Sequence, residues 1–225
     1  MTPTEPPARA DVGDLYRSSR LRAQELLAGL EPAQWELPVP ACPGWRVRDV
    51  LGHLVGAIED AAAGRISGPP APEMTAIEVE RHALDDPVQL LHLWDRMAPP
   101  FEDKLTEGGI WPGFFDVLSH EHDVHGALGS RGEQDGDEVR LAAKLLVRGA
   151  DLGRPFQVDT GERVLTSAVD GDDPLVLRAP AFDVFRLRLG RRSRAQVLSM
   201  DWAEPPGDLV DRLFVFGPAE QDLVE

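Results

Sequence analysis

The side chains best equipped for chemistry fall in two segments, residues 41–56 (ACPGWRVRDVLGHLVG) and 116–129 (DVLSHEHDVHGALG). The first offers one imidazole, His53, on the same helix side as Val50 and Leu54 and therefore expected to be buried. The second offers carboxylate–imidazole pairs four residues apart, Asp116 with His120 and Glu121 with His125. Side chains at that spacing share one helix face, about one turn apart. Two ligands from one helix and a third from another form a facial metal site that keeps coordination positions open, as a catalytic ion requires. At roughly 100° per residue the stripe Val117, Val124, Leu128 runs between the two pairs, so periodicity favours neither. His122 points away from that stripe and is expected in solvent.

Other reactive residue types have simpler readings. Cys42 lies between Ala41 and Pro43 with no histidine near in sequence, which makes it a spacer in a turn. Trp45 reads as an anchor of the core, and His82 and His92 as single, inert histidines on charged segments. The chain contains neither a glycine-rich phosphate loop nor a serine-hydrolase motif.

The elements that must position these residues are helical in the first part. Residues 12–30 space Leu15, Leu21, Leu26, Leu27 and Leu30 near the helical period. Pro38, Pro40 and Pro43 enforce an extended turn, after which a second helix is expected over 45–62. Residues 63–74 read as loop from their glycine and proline content. A third helix is expected over 87–105, N-capped by Asp85 or Asp86 and kinked or split at Pro99-Pro100, and a fourth over 112–128, closed by Gly129. Four such helices suit an antiparallel bundle. A fifth, over 138–152, leads out of it, so the domains are read as 1–152 and 153–225.

The second part is α+β. Residues 156–159 and 164–169 flank Thr160-Gly161 as a hairpin, and 174–178 and 195–200 are further strand candidates. Residues 182–189 read as a short helix closed by Gly190, and 206–214 as another.

Composition limits the partners. The formal net charge of −16 over 225 residues argues against nucleic acid, whose phosphates need clustered cations. No apolar run approaches the roughly 20 residues that cross a bilayer, and the N-terminus does not read as a secretory signal. The single cysteine cannot form an internal disulfide, and a cytoplasmic setting is expected. Arginine outnumbers lysine by 21 to 2, the skew of a GC-rich bacterial genome.

The string CPGWRVRDVLGHLVG is similar to the N-terminal signature of the mycothiol-dependent maleylpyruvate isomerase family, within the wider DinB-like metal-binding bundles. In that family a proline-glycine-tryptophan turn opens a helix with a ligating histidine followed by leucine and valine. The later helix carries a glutamate, a histidine four residues on and an aspartate three further, then a small residue and glycine. His120, Asp123, Ala127 and Gly129 fall on that pattern, and Asp116 stands four before His120. The resemblance thus implies His53, Asp116 and His120 as ligands of a divalent metal, zinc first, with Glu121/His125 as the fallback. Asp116 stands where the family has glutamate, one methylene longer.

Residues 153–225 resemble the family's C-terminal domain, a small sterol-carrier-like α+β fold in which a short helix ends in Gly-Arg. Gly190-Arg191 matches it, and the resemblance implies that Arg191 faces the active site and forks a substrate carboxylate. The plainer reading is that Arg186, Arg188, Arg191, Arg192 and Arg194 form a solvated basic face. The implied activity is that of a thiol-cofactor enzyme. A mycothiol thiolate adds to a small electrophile, giving isomerisation or S-transfer. A metal-dependent hydrolase, a transferase using another thiol and a non-catalytic metal- or apolar-ligand-binding module are the alternatives.

Overall fold

The computed structural model describes residues 12–65, 72–108 and 111–225, and the chain divides into two compact units, one ending at Leu128 and the other starting at Gly129. The first unit holds α1 (Val12–Ala28), α2 (Val47–Ala62), α3 (Pro72–Arg81), α4 (Pro87–Gly108) and α5 (Trp111–Ala127). Helix α1 packs on α4 and α5, and α2 packs on α3, α4 and α5. Helices α1, α2, α4 and α5 are therefore the expected bundle. Helix α3 is an addition, since 63–74 reads as loop in sequence; residues 66–71 lie outside the described ones.

The turn before α2 is tightly built. Pro38 and Arg46 pair as an isolated antiparallel bridge, Val39 N–H donates to Trp45 O at 2.9 Å, and Gly44 takes φ +86° at the corner. Arg46 N–H donates to Asp49 Oδ2 at 2.8 Å, which satisfies one of the orphan donors at the helix start. From there Val47, Val50, Leu51, Leu54, Val55 and Ile58 all enter the core.

Helix α4 does not break at Pro99-Pro100 but runs through both. An interior proline costs about 3 kcal/mol. Against that cost, Trp94, Ala98 and Leu105 are fully buried on either side of the pair. Two further ties hold α4 to α1: Trp94 Nε1–H donates to the Tyr16 hydroxyl at 3.1 Å, and buried Arg20 donates to Glu102 at 3.0 Å and Asp95 at 2.8 Å.

The second unit comprises α6 (Asp137–Arg148), β1 (Phe156–Asp159), β2 (Val164–Thr166), β3 (Leu175–Arg178), α7 (Ala181–Arg188), α8 (Arg194–Leu198), β4 (Asp201–Trp202) and a 3₁₀ turn (Gly207–Leu213). The four strands form one mixed sheet in the order β2-β1-β3-β4, with β1 and β3 parallel and both outer pairs antiparallel. The two compact units part at 128/129, and α6 belongs to the second, where it packs on α7, β1 and β2. Its stripe Val139, Ala142, Ala143, Leu146 and Val147 is buried there. The strand expected over 195–200 is instead α8. Ser193 caps it by accepting from Gln196 N at 3.0 Å, and Gln196 Oε1 accepts from Ser193 N at 2.9 Å. That reciprocal cap outweighs a weak strand pattern.

Candidate metal centre

His53 reaches its position from the middle of α2, and Asp116 and His120 from one face of α5. His53 and His120 are buried, while the Asp116 side chain keeps 27% of its surface exposed. Asp116 Oδ1 lies 3.3 Å from His53 Nε2 and 3.5 Å from His120 Nε2. The three side chains bring donor atoms within 4.8 Å of one another. The two imidazoles meet edge to face, with centroids 5.0 Å apart at 77°. Trp45 packs over both rings, 5.2 Å from His53 and 5.9 Å from His120. It is half-buried beside the donors rather than a core anchor.

Both far nitrogens are held by buried carboxylates. His53 Nδ1–H donates to Glu78 Oε2 at 2.7 Å, and His120 Nδ1–H donates to Asp123 Oδ2 at 2.9 Å. In the neutral rings, with protons assigned to Nδ1 from these partners, the Nε2 lone pairs are left for the point shared with Asp116. Two imidazoles and one carboxylate suit a divalent ion of the zinc type, and three protein ligands leave positions open. The residues present therefore fit the group that the sequence pattern implies.

The electrostatics around the two rings differ. Burial alone would lower the pKa of His53, but the Asp116 charge and the hydrogen bonds to Asp116 and Glu78 outweigh it and raise the value to about 10. Burial lowers the pKa of His120 below the ordinary histidine value, overriding the bond to Asp123. In the absence of an ion, His53 is an imidazolium at neutral pH and His120 is neutral.

Cys42 also reaches this region. Its Sγ lies 3.4 Å from Asp123 Oδ2 and 3.8 Å from His120 Nδ1, all three residues being buried. The thiol donates to the carboxylate that already holds His120, so the trio acts as support behind the ring. Sequence distance hid this contact, which spans 78 positions. Glu78 was missed for another reason: it lies on α3, which the sequence does not announce. The available signal was Gly52 and Gly56 on α2, small residues flanking His53 that mark the close approach of another helix.

The rival pair is engaged elsewhere. Glu121 is buried and forks Arg22 of α1, with Nε–Oε1 at 2.7 Å and Nη2–Oε2 at 3.0 Å. His125 is half-buried, its pKa lowered by burial and by the Arg22 charge. His122 is 2% exposed, against the expectation of a solvent position. His82 is likewise buried, at 2.8 Å from Asp85 and 3.2 Å from Glu59, whereas His92 is exposed as expected.

In the second unit, Arg191 follows Gly190, whose φ of +80° closes α7. Arg191 is half-buried and donates from Nη1 to the Leu189 carbonyl at 2.8 Å. Its neighbours are not a solvated face, since Arg186, Arg188 and Arg192 are all buried. Glu225 accepts from Arg186 and, at 2.6 Å, from Arg192, which also meets Asp183 at 2.8 Å. Arg188 donates to the Arg212 and Leu213 carbonyls, and burial lowers its pKa to about 10.

Residues 16–112 match the family model for the mycothiol maleylpyruvate isomerase N-terminal domain, a span that includes His53 and ends just before Asp116. Among solved structures, the crystal structure of the mycothiol-dependent maleylpyruvate isomerase is similar, at 13% identity and a TM-score of 0.50 over 80% of this chain and 88% of that one. A histidine-to-alanine mutant of that isomerase covers the same shares at 13% identity and a TM-score of 0.49. No curated protein sequence matches this chain. The shared fold is a helical N-terminal domain followed by an α+β domain. No described helix is long and apolar enough to cross a membrane. Residues 16–112 of this chain are thus similar to the N-terminal domain of the mycothiol-dependent maleylpyruvate isomerases.

Proposed function

We propose that His53, Asp116 and His120 hold one divalent ion, zinc first, and that the protein uses mycothiol to act on a small unsaturated electrophile. The observation that carries this reading is the convergence of two Nε2 atoms on Asp116 Oδ1, at 3.3 and 3.5 Å. A bound divalent ion supplies a Lewis acid that lowers the pKa of a thiol toward neutrality. The chain's own residues do the remaining work. Asp116, partly exposed, marks the side from which small molecules enter. Trp45 walls the site with an aromatic face against the two rings. Arg191 is our candidate for the substrate carboxylate, because a guanidinium fork pairs two oxygens at once.

The family name and the similar solved enzyme, named as a mycothiol-dependent maleylpyruvate isomerase, support this choice of thiol and substrate class. Isomerisation and S-transfer share the thiol addition and differ in whether the sulfur leaves again. Turnover of maleylpyruvate and related unsaturated dicarboxylates, measured with and without mycothiol, tests the activity. The purified protein should carry about one equivalent of divalent metal, as structural and catalytic zinc sites of this donor type do. His53→Ala should lose it, and full retention of metal in that variant would falsify the ligand set.

A further inference from the structure

Glu78 sits behind His53 on a helix that contributes none of the three donors. Its side chain is 2% exposed, and its Oε2 lies 2.7 Å from His53 Nδ1. A buried carboxylate needs a partner, and this one is the only imidazole that α2 offers. The backbone around it is arranged for close approach. A Cβ on Gly56 would stand 2.7 Å from Glu78 Cβ, and one on Gly52 would stand 3.2 Å from His82 Cβ. An interior glycine weakens a helix relative to alanine, so two of them flanking His53 need a reason. Glu78 at Gly56 is that reason: with alanine there, α3 could not bring the carboxylate to the ring.

We propose that Glu78 is a positioning residue of the metal centre, fixing the His53 tautomer and ring plane so that Nε2 faces Asp116 and His120. This rests on the metal reading above. The alternative tautomer has a ready acceptor, because Asp116 Oδ1 lies 3.3 Å from Nε2. A proton placed on Nε2 would satisfy that bond and leave no lone pair for an ion. Glu78 holds the proton on the other nitrogen. Asp123 does the same for His120, at 2.9 Å, so each imidazole has its own carboxylate from a different helix. Outer carboxylates of this kind govern ligand orientation and basicity.

The test uses the full chain and zinc alone. Affinity is measured by competition with a chelator and corrected for protons released, and the His53 tautomer is read from its ¹⁵N shifts at a pH where the zinc-free ring is neutral. Glu78→Ala should bind zinc about 10–100-fold more weakly and move the His53 proton to Nε2. Glu78→Gln, whose amide oxygen can accept the same bond, should keep the tautomer and most of the affinity. Gly56→Ala touches no ligand and should reproduce part of the loss by displacing Glu78; it carries the test if Glu78→Ala does not fold. Wild-type affinity and tautomer in Glu78→Ala, even with a lower melting temperature, reduce Glu78 to a packing residue and overturn the proposal. A wild-type protein that binds no zinc overturns the metal reading and this role together.

Discussion

Zinc binding near neutral pH should expel about one proton per ion, and that proton comes from His53. Without an ion, Asp116 and Glu78 raise this imidazole to about 10 against the pull of burial. Ligation through Nε2 requires the neutral ring. At pH 7 the group lies about three pH units below its pKa, so removing the proton costs about 4 kcal/mol at roughly 1.4 kcal/mol per unit. His120, lowered by burial, is already neutral and releases nothing. The dissociation constant should therefore fall about tenfold per pH unit from pH 6.5 upward, flattening only near pH 10.

The same proton sets the pH dependence of stability in the zinc-free form and drops out of it in the zinc-bound form. The folded-state pKa is above the unfolded one, so the zinc-free protein has this stabilisation in full below about pH 6.5 and loses it as pH rises through about 10. The increment that a fixed excess of zinc adds should grow by about 1.4 kcal/mol per pH unit, which offsets that decline and leaves the zinc-bound protein level over the same range. Calorimetry in buffers of different ionisation enthalpy counts the proton, and melting curves at pH 6.5 and 8.5 with and without zinc check the signs. A zinc affinity independent of pH, or proton release near zero at pH 7, would refute the assignment of His53 as a charged ring that must deprotonate to ligate.

Three further outcomes follow from named contacts. Asp116→Asn should weaken zinc binding by at least about tenfold, whereas Asp116→Glu, which restores the family's longer side chain, should bind at least as tightly as wild type; chelator competition on both variants reads this. Glu121→Gln should leave the zinc stoichiometry untouched but cost about 3 kcal/mol of stability by stripping the buried end of the Arg22 fork, seen as a lower melting temperature. Loss of zinc in that variant would return Glu121/His125 to consideration. Arg191→Ala should raise KM for an unsaturated dicarboxylate by about tenfold or more without changing metal content, and Arg191→Lys should not restore it, since an ammonium cannot form the fork. An unchanged KM would leave Arg191 as a residue that only closes α7 onto the Leu189 carbonyl.

The parts of the fold that bury one apolar stripe were legible. Helix α2 carries Val47, Val50, Leu51, Leu54, Val55 and Ile58 inward, and α7 and the β1–β2 hairpin fall close to where spacing and turn residues put them, whereas α1 has nearly the expected bounds but buries Tyr16, Ala23 and Leu27 and exposes Leu21. The errors arise where something other than the stripe decides. Of the kink or split expected at Pro99-Pro100, the split does not occur, because Trp94 and Leu105 anchor α4 on both sides. Residues 194–198 carry too little pattern to overrule the Ser193–Gln196 cap. Helix α3 has charged residues on most of its surface and buries Glu78 while exposing Ile77, the inverse of an amphipathic helix.

The same inversion explains why spacing could not choose between the two carboxylate–imidazole pairs on α5. Residues 117–124 are buried without a break, so that stretch has no solvent face to orient a periodic reading. Four of those eight positions are His120, Glu121, His122 and Asp123, groups that ordinarily mark the outside of a helix. Inside a bundle each must be matched by a polar partner from elsewhere in the fold. Arg22 of α1 meets Glu121, the Cys42 turn meets Asp123, and His53 of α2 shares Asp116 with His120. Those matches span 63 to 99 positions in the chain and leave no trace in local periodicity. What separates Asp116/His120 from Glu121/His125 is thus which neighbour each pair faces: an arginine in one case, a second imidazole in the other. A cation facing Glu121 neutralises it and repels an ion from that side, whereas the imidazole facing Asp116 can give up its proton and become a ligand.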